Sequence, residues 1–216
     1  MKRVEICPSI LSGDFGHLAD EAKRIETAGA DEIHIDIMDG HFVPNLTLGP
    51  RAVAAINRAT PLFLDVHLMI YNPYDFIEAF VQAGADRITF HFEATEDVED
   101  TINFIRKCGK EAGVAFRPET SFSMAVKYLD KCDLVLLMTV SPGFGGQEFM
   151  PKVVDKIKLT RKAAGDGIKI QVDGGINPET AKLCAKAGAN SFVSGHYLFS
   201  QPDLAKAIAT LRKSAE

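Results

Sequence analysis

Short runs of β-branched and other apolar residues recur along the chain. Each is followed by a polar, glycine- or proline-containing stretch and then by apolar residues at helical spacing. The runs predict strands at 4–8, 33–38, 63–69, 87–92, 113–117, 134–139, 168–173 and 191–194. Their dense Ile, Val, Leu and Phe content is that of strands covered by helices, not of a sheet with one wet face. Between them, helical stripes predict helices at 17–27, 50–59, 74–83, 97–110, 123–129, 151–164, 178–187 and 203–214. Pro50, Pro151 and Pro178 stand near helix starts, where a missing N–H is no loss. A weak repeat, Ala28-Gly29-Ala30-Asp31, Ala83-Gly84-Ala85-Asp86 and Ala187-Gly188-Ala189-Asn190, separates helix from strand. In each copy a glycine can end the helix in a left-handed conformation.

Eight such units of about 27 residues imply either an open doubly wound sheet or a closed barrel. No Gly-x-Gly-x-x-Gly follows the first strand, which weakens the dinucleotide-binding alternative. The expected fold is therefore α/β, a single (β/α)8 TIM barrel spanning residues 1–216, with its chemistry at the strand C-termini.

Composition narrows the partners. Apolar residues make up 46% and charged residues 25% of the 216, which excludes disordered and fibrous classes. The formal charge is −5 with no Lys/Arg cluster longer than two, so neither nucleic acid nor a membrane surface is an expected partner. An anionic substrate would need a local feature to hold it. The start, Met1 to Pro8, lacks the apolar core of a signal peptide, and nowhere do the roughly 18 apolar residues of a membrane span run together. Cys7, Cys108, Cys132 and Cys184 are scattered and read as reduced thiols, so a cytoplasmic location is expected. None has a histidine beside it, which disfavours a catalytic thiol.

Polar residues collect at the ends of predicted strands. Period-two alternation sends His34, Asp36 and Met38 to one side of the second strand, and Ile33, Ile35 and Ile37 to the other. The isoleucines suit the layer beneath the helices, so the polar set should face the barrel interior. His67 and Met69 end the third strand on one face, and Asp173 ends the seventh directly before Gly174 and Gly175. Two imidazoles and two carboxylates on one rim suit a divalent ion such as Zn, Fe, Mn or Co, because unpaired buried carboxylates are costly. The glycine-rich run Gly143-Phe144-Gly145-Gly146 after the sixth strand, with Gly174, Gly175 and Gly195, could cradle a phosphate through backbone N–H groups. His91 and Glu93 could orient a ligand imidazole or form a structural hydrogen bond, and Phe42–Asn45 could cover the site or fill the barrel mouth. His41 reads as a loop-packing residue.

Five segments together resemble the ribulose-phosphate 3-epimerase family, in register from about residue 4 to 212. They are Cys7–Ser12, His34–Asn45, Val66–Met69, Met138–Gln147 and Val172–Ile176. The resemblance implies a metal-dependent isomerase that inverts C3 of a ketose phosphate. Its reaction is D-ribulose 5-phosphate to D-xylulose 5-phosphate in the pentose phosphate pathway of carbohydrate metabolism. By matching position, His34, Asp36, His67 and Asp173 would hold one divalent metal ion, and Asp36 and Asp173 would be the acid/base pair. Ser9, His67, Met38, Met69 and Met138 would line the sugar. Gly143, Phe144, Gly145, Gly146, Gly174, Gly175, Gly195 and His196 would surround the phosphate, and a homo-oligomer is expected. Two positions depart from the family pattern: His196 stands where a serine is usual, and Arg117 where Asn or Lys is usual. The first leaves open an allulose 6-phosphate 3-epimerase. A phosphosugar-binding barrel without activity is a further alternative, disfavoured by the intact Asp36 and Asp173. A lyase or decarboxylase barrel is disfavoured because Lys169 lies deeper than Asp173 on its strand.

Overall fold

A computed structural model describes residues 3–216. Its strands are β1 (Glu5–Pro8), β2 (Glu32–Met38), β3 (Phe63–Met69), β4 (Arg87–His91), β5 (Glu111–Phe116), β6 (Leu134–Met138), β7 (Lys169–Asp173) and β8 (Ser191–Ser194). All pair in parallel, in the order β1-β8-β7-β6-β5-β4-β3-β2. The remaining seam between β1 and β2 is drawn together by a parallel bridge between Ser9 and His34. Asp31 reinforces it, donating its N–H to the Ile6 carbonyl at 3.1 Å and accepting from the Ile6 N–H at 2.8 Å. The chain is a (β/α)8 barrel, as its alternation predicts.

The principal helices are α1 (Leu18–Thr27), α2 (Pro50–Ala59), α3 (Ile77–Ala83), α4 (Val98–Lys107), α5 (Phe122–Ala125), α6 (Val153–Ala164), α7 (Pro178–Ala187), α8 (His196–Phe199) and α9 (Leu204–Ala215). They pack on the outward faces of the strands. Ile33, Ile35 and Ile37 of β2 join Ile25 of α1 and Val53 and Ile56 of α2 in one core, each nearly or fully inaccessible. Burying each such side chain stabilises the fold by roughly 1.5–3 kcal/mol. Boundaries differ from the periodicity where local chemistry intervenes. Pro73–Phe76 is a 3-10 turn before α3, and α4 stops at Lys107 because Gly109 turns the chain at φ 75°. Pro151 and Lys152 form a turn ahead of α6, and the predicted helix 123–129 splits into α5 and a 3-10 turn at Val126–Tyr128.

The inward faces alternate with the outward ones and carry the polar residues. At the N-terminal end of the barrel, Arg87 of β4 reaches Glu32 of β2 at 2.8 and 3.0 Å and Glu111 of β5 at 2.8 Å. Lys169 of β7 meets Glu5 at 2.5 Å and Glu32 at 2.6 Å. This ionic floor seals the bottom. The C-terminal end, where the site is expected, stays open.

Candidate active site

Parallel register places the chemistry. Strands β2 and β3 set Asp36 beside His67 and Met38 beside Met69, while β6 and β7 set Met138 beside Asp173. The donor atoms of His34, Asp36, His67 and Asp173 all lie within 4.8 Å of one another. His34 Nε2 stands 3.3 Å, and His67 Nδ1 3.1 Å, from the same oxygen, Asp36 Oδ1. The other Asp36 oxygen accepts from Ser9 Oγ at 2.6 Å.

Each imidazole is held from behind. His34 Nδ1 lies 2.8 Å from Asp65 Oδ2, which also accepts from Gln171 Nε2 at 2.9 Å across the barrel. An ionised carboxylate only accepts, so His34 Nδ1 carries the hydrogen. His34 Nε2 is left buried, without a hydrogen-bond partner, and turned toward Asp36. His67 is backed differently: its Nε2 is 3.0 Å from His91 Nε2, and His91 Nδ1 is 3.1 Å from Glu93 Oε2. Glu93 Oε1 in turn accepts from the Arg117 amide at 2.9 Å and from Thr120 Oγ1. His91 and Glu93 thus form one hydrogen-bonded chain with His67.

The electrostatics share one cause. Burial and the neighbouring Asp36 charge push the Asp173 carboxyl up to about 7. Burial opposes a charged His34 ring, yet the Asp36 and Asp65 carboxylates outweigh it and raise that ring well above the ordinary histidine range. Asp36 is held far below the usual carboxylate range: burial works against its charge, but His34 and His67 more than offset it. Burial keeps His67 below its ordinary value and brings His91 down to about 4. These shifts express a local excess of negative charge that protons or a divalent cation can neutralise. A buried, unpartnered ring nitrogen aimed at a cluster of carboxylates fits a metal ion, and the mixed N/O donor set fits a first-row divalent one.

Above the cluster lies a cavity of about 460 Å³. Its base holds Asp36, Asp173 and Ser9, and its apolar wall holds Met38, Met69 and Met138. His34 and His67 are fully buried and do not line the cavity. Gly143, Phe144, Gly145, Gly146, Gly174, Gly175, Gly195 and His196 also line it, and His196 Cγ lies 3.8 Å from where a Cβ on Gly146 would stand. Gly174 and Gly175 have φ of 119° and 64°, and added Cβ atoms there would meet Val140 Cγ2 at 2.5 Å and Phe149 N at 2.7 Å. Bare backbone is thus required at this end of the cavity. Phe42–Asn45 lies against the Gly143 loop: Val43 is buried, and Asn45 Nδ2 donates to the Gly143 carbonyl at 2.8 Å. Arg117 secures the same segment, donating from Nη2 to the Phe42 carbonyl at 3.1 Å and lying over the Phe42 ring. His41, away from the cavity, stacks on Tyr71.

Sequence reasoning missed Asp65 and Gln171, which hold His34. Asp65 stands two positions before His67 on the same face of β3, so the period-two rule that selected His67 also reaches it. Among the described residues, no helix is long and apolar enough to cross a membrane.

Comparison with known proteins extends this geometry. Residues 5–199 match the family model described as ribulose-phosphate 3 epimerase family. A ribulose-phosphate 3-epimerase of Chlamydia pneumoniae is 53% identical, over 95% of this chain and 93% of its own. That of Bacillus subtilis is 49% identical over 98% and 99%, and that of Escherichia coli K12 43% identical over 98% and 96%. Among solved structures, KGPDC from Streptococcus mutans aligns with a TM-score of 0.74 at 16% identity, covering 99% of this chain and 98% of its own. A 3-hexulose-6-phosphate synthase from Salmonella typhimurium aligns at 0.73 and 16%, covering 98% of each chain. At such identity these two show the shared barrel alone. The sequence matches, by contrast, run through every strand that carries the two aspartates and two histidines, and the chain belongs to the ribulose-phosphate 3-epimerase family.

Proposed function

We infer that the protein inverts C3 of D-ribulose 5-phosphate to give D-xylulose 5-phosphate, with Asp36 and Asp173 as its acid/base pair. The observation that carries the assignment of roles is that these two carboxylates line one cavity from β2 and β7, strands separated by β8 and β1 around the barrel. Inversion needs a proton removed from one face of C3 and another delivered to the opposite face, and one carboxylate per face achieves this without turning the intermediate.

Asp36, held ionised, takes the C3 proton, and the electron pair of the broken C–H bond moves toward the C2 carbonyl oxygen. Asp173, the carboxylate on the other side of the cavity, delivers a proton to the other face of C3. Asp36 ends protonated and Asp173 ionised, the state competent for the opposite direction. His34, Asp36, His67 and Asp173 would hold a divalent cation, which would supply Lewis-acid stabilisation of the negative charge that develops on the oxygen. Ser9 keeps Asp36 oriented through its 2.6 Å hydrogen bond. Met38, Met69 and Met138 restrict water around the intermediate without offering a competing base. The glycine-lined end of the cavity, with its backbone close to the surface, suits the phosphate.

The test uses Asp173→Asn and Asp36→Asn, which keep shape but remove the proton-carrying group. Epimerisation is expected to fall by about 10²- to 10⁴-fold in either variant while far-UV circular dichroism stays unchanged. Activity within tenfold of wild type would remove that residue from the acid/base role. In D₂O the wild-type product should carry deuterium at C3, and a chain that merely binds phosphosugars would leave it unlabelled. Turnover should favour ribulose 5-phosphate over allulose 6-phosphate, and the reverse order would reassign the substrate to the six-carbon sugar.

A further inference from the structure

We propose that His91 and Glu93 are positioning residues that fix the tautomer of His67, so that this ring meets a divalent cation through Nδ1. The inference rests on the reading of His34, Asp36, His67 and Asp173 as metal ligands. Asp36 Oδ1, His67, His91 and Glu93 Oε2 stand in a line with gaps of 3.1, 3.0 and 3.1 Å. Each gap brings two lone-pair-bearing atoms together and needs a hydrogen or a cation between them. Glu93 only accepts, so His91 Nδ1 carries a hydrogen, and a His67 that gives its cluster-facing lone pair to a cation keeps one hydrogen, on Nε2. Two hydrogens then serve three gaps, and the cation takes the third.

Position decides which gap the cation fills. The His67–His91 gap is sealed between two fully buried rings stacked 5.0 Å apart. The His91–Glu93 gap is closed in as well, since Phe42 lies over the His91 ring and Glu93 Oε1 is already occupied by Thr120 and the Arg117 amide. Only the gap between Asp36 and His67 opens onto the cluster where the His34 and Asp173 donors also converge. With the cation there, His91 Nδ1 donates to Glu93, and His67 Nε2 donates to His91 Nε2. His67 Nδ1 is left as a lone pair directed at the metal. The two ligand histidines thus present opposite ring nitrogens. Asp65 acts directly on His34, whereas Glu93 acts on His67 through a second imidazole.

Zinc is the probe, because it is diamagnetic and its affinity can be read by chelator competition. In the zinc-loaded wild-type chain, nitrogen-15 spectra of the histidine rings should show His67 protonated at Nε2 and His91 at Nδ1. His91→Phe, which removes the acceptor and leaves the His67 N–H buried and unpaired, should weaken zinc binding by about 10- to 100-fold. His91→Gln, whose carbonyl can still accept from His67, should restore affinity to within a few-fold of wild type. A His67 ring protonated at Nδ1 would overturn the proposal, and so would a His91→Phe chain that binds zinc as tightly as wild type. The spectra need only the wild-type chain, so they decide the matter even if His91→Phe does not fold. Failure of the wild-type chain to bind zinc would instead bring down the reading of the four ligands, and the relay with it.

Discussion

His196 presents an exposed imidazole to the cavity, with its Cγ 3.8 Å from where a Cβ on Gly146 would lie. That places a ring nitrogen, Nδ1, beside the glycine-lined end. A hydrogen bond to a charged group contributes about 1.5–3 kcal/mol when buried, and solvent at this exposed edge reduces it. His196→Ser is expected to raise KM for the phosphorylated ketose by about two- to tenfold with kcat nearly unchanged, because the phosphate is bound equally in ground and transition states. Steady-state kinetics at fixed pH checks this, and an unchanged KM would show that the ring does not meet the phosphate. At this scale the members of the His/Asp cluster were readable because strand alternation assigns a side to His34 and Asp36 and because Asp173 ends its strand directly before two glycines. The direction in which His91 points was not readable, since a ring's orientation depends on what packs over it, here Phe42 from another loop.

Helix α7 follows the cavity's Gly174–Gly175 turn, and its start is fastened by a reciprocal cap. Asn177 Oδ1 accepts from the Glu179 and Thr180 amides at 2.9 and 3.1 Å, while the Asn177 amide donates to Thr180 Oγ1 at 2.9 Å. Thr180 Oγ1 also donates to the Gly175 carbonyl at 2.9 Å, tying the helix to the turn that lines the cavity. Asn177→Ala removes two of these bonds and should cost about 0.5–2 kcal/mol in urea unfolding with an unchanged slope. A loss within measurement error would mean that solvent replaces the cap fully. The sequence marks this element well, through Asn177-Pro178 at its start and Gly188 just past its end. It marks α8 and the 3-10 turns poorly. These run only three or four residues, too short for a hydrophobic period to show, and α8 exists because the Gly195 turn delivers the chain into a single helical turn.

The whole barrel combines an open, reactive mouth with a closed ionic floor, and the floor is where the architecture was least legible. Glu5, Glu32, Arg87, Glu111 and Lys169 each open a strand, which the chain shows plainly. Which of them meet depends on the stagger of strands around the barrel, and Arg87 reaches two strands over to Glu32. Arg87 is fully buried and also lies 3.4 Å from Asp65 Oδ1, so the floor touches the residue that holds His34. Three carboxylates depend on this one guanidinium. A methionine of similar length would fill its volume while leaving Asp65 and Glu32 with only part of their compensation. Lys169 still serves Glu32, but among the described residues Asp65 has no other cation within ion-pair distance except the His34 ring it orients. Arg87→Met is therefore expected to destabilise the barrel by about 3–5 kcal/mol, the cost of stranding a buried charge rather than the net value of the pair. Urea unfolding at neutral pH measures it. A loss below about 1 kcal/mol would mean that the floor's carboxylates can reach water once the arginine is gone, and that shape rather than charge closes this end of the molecule.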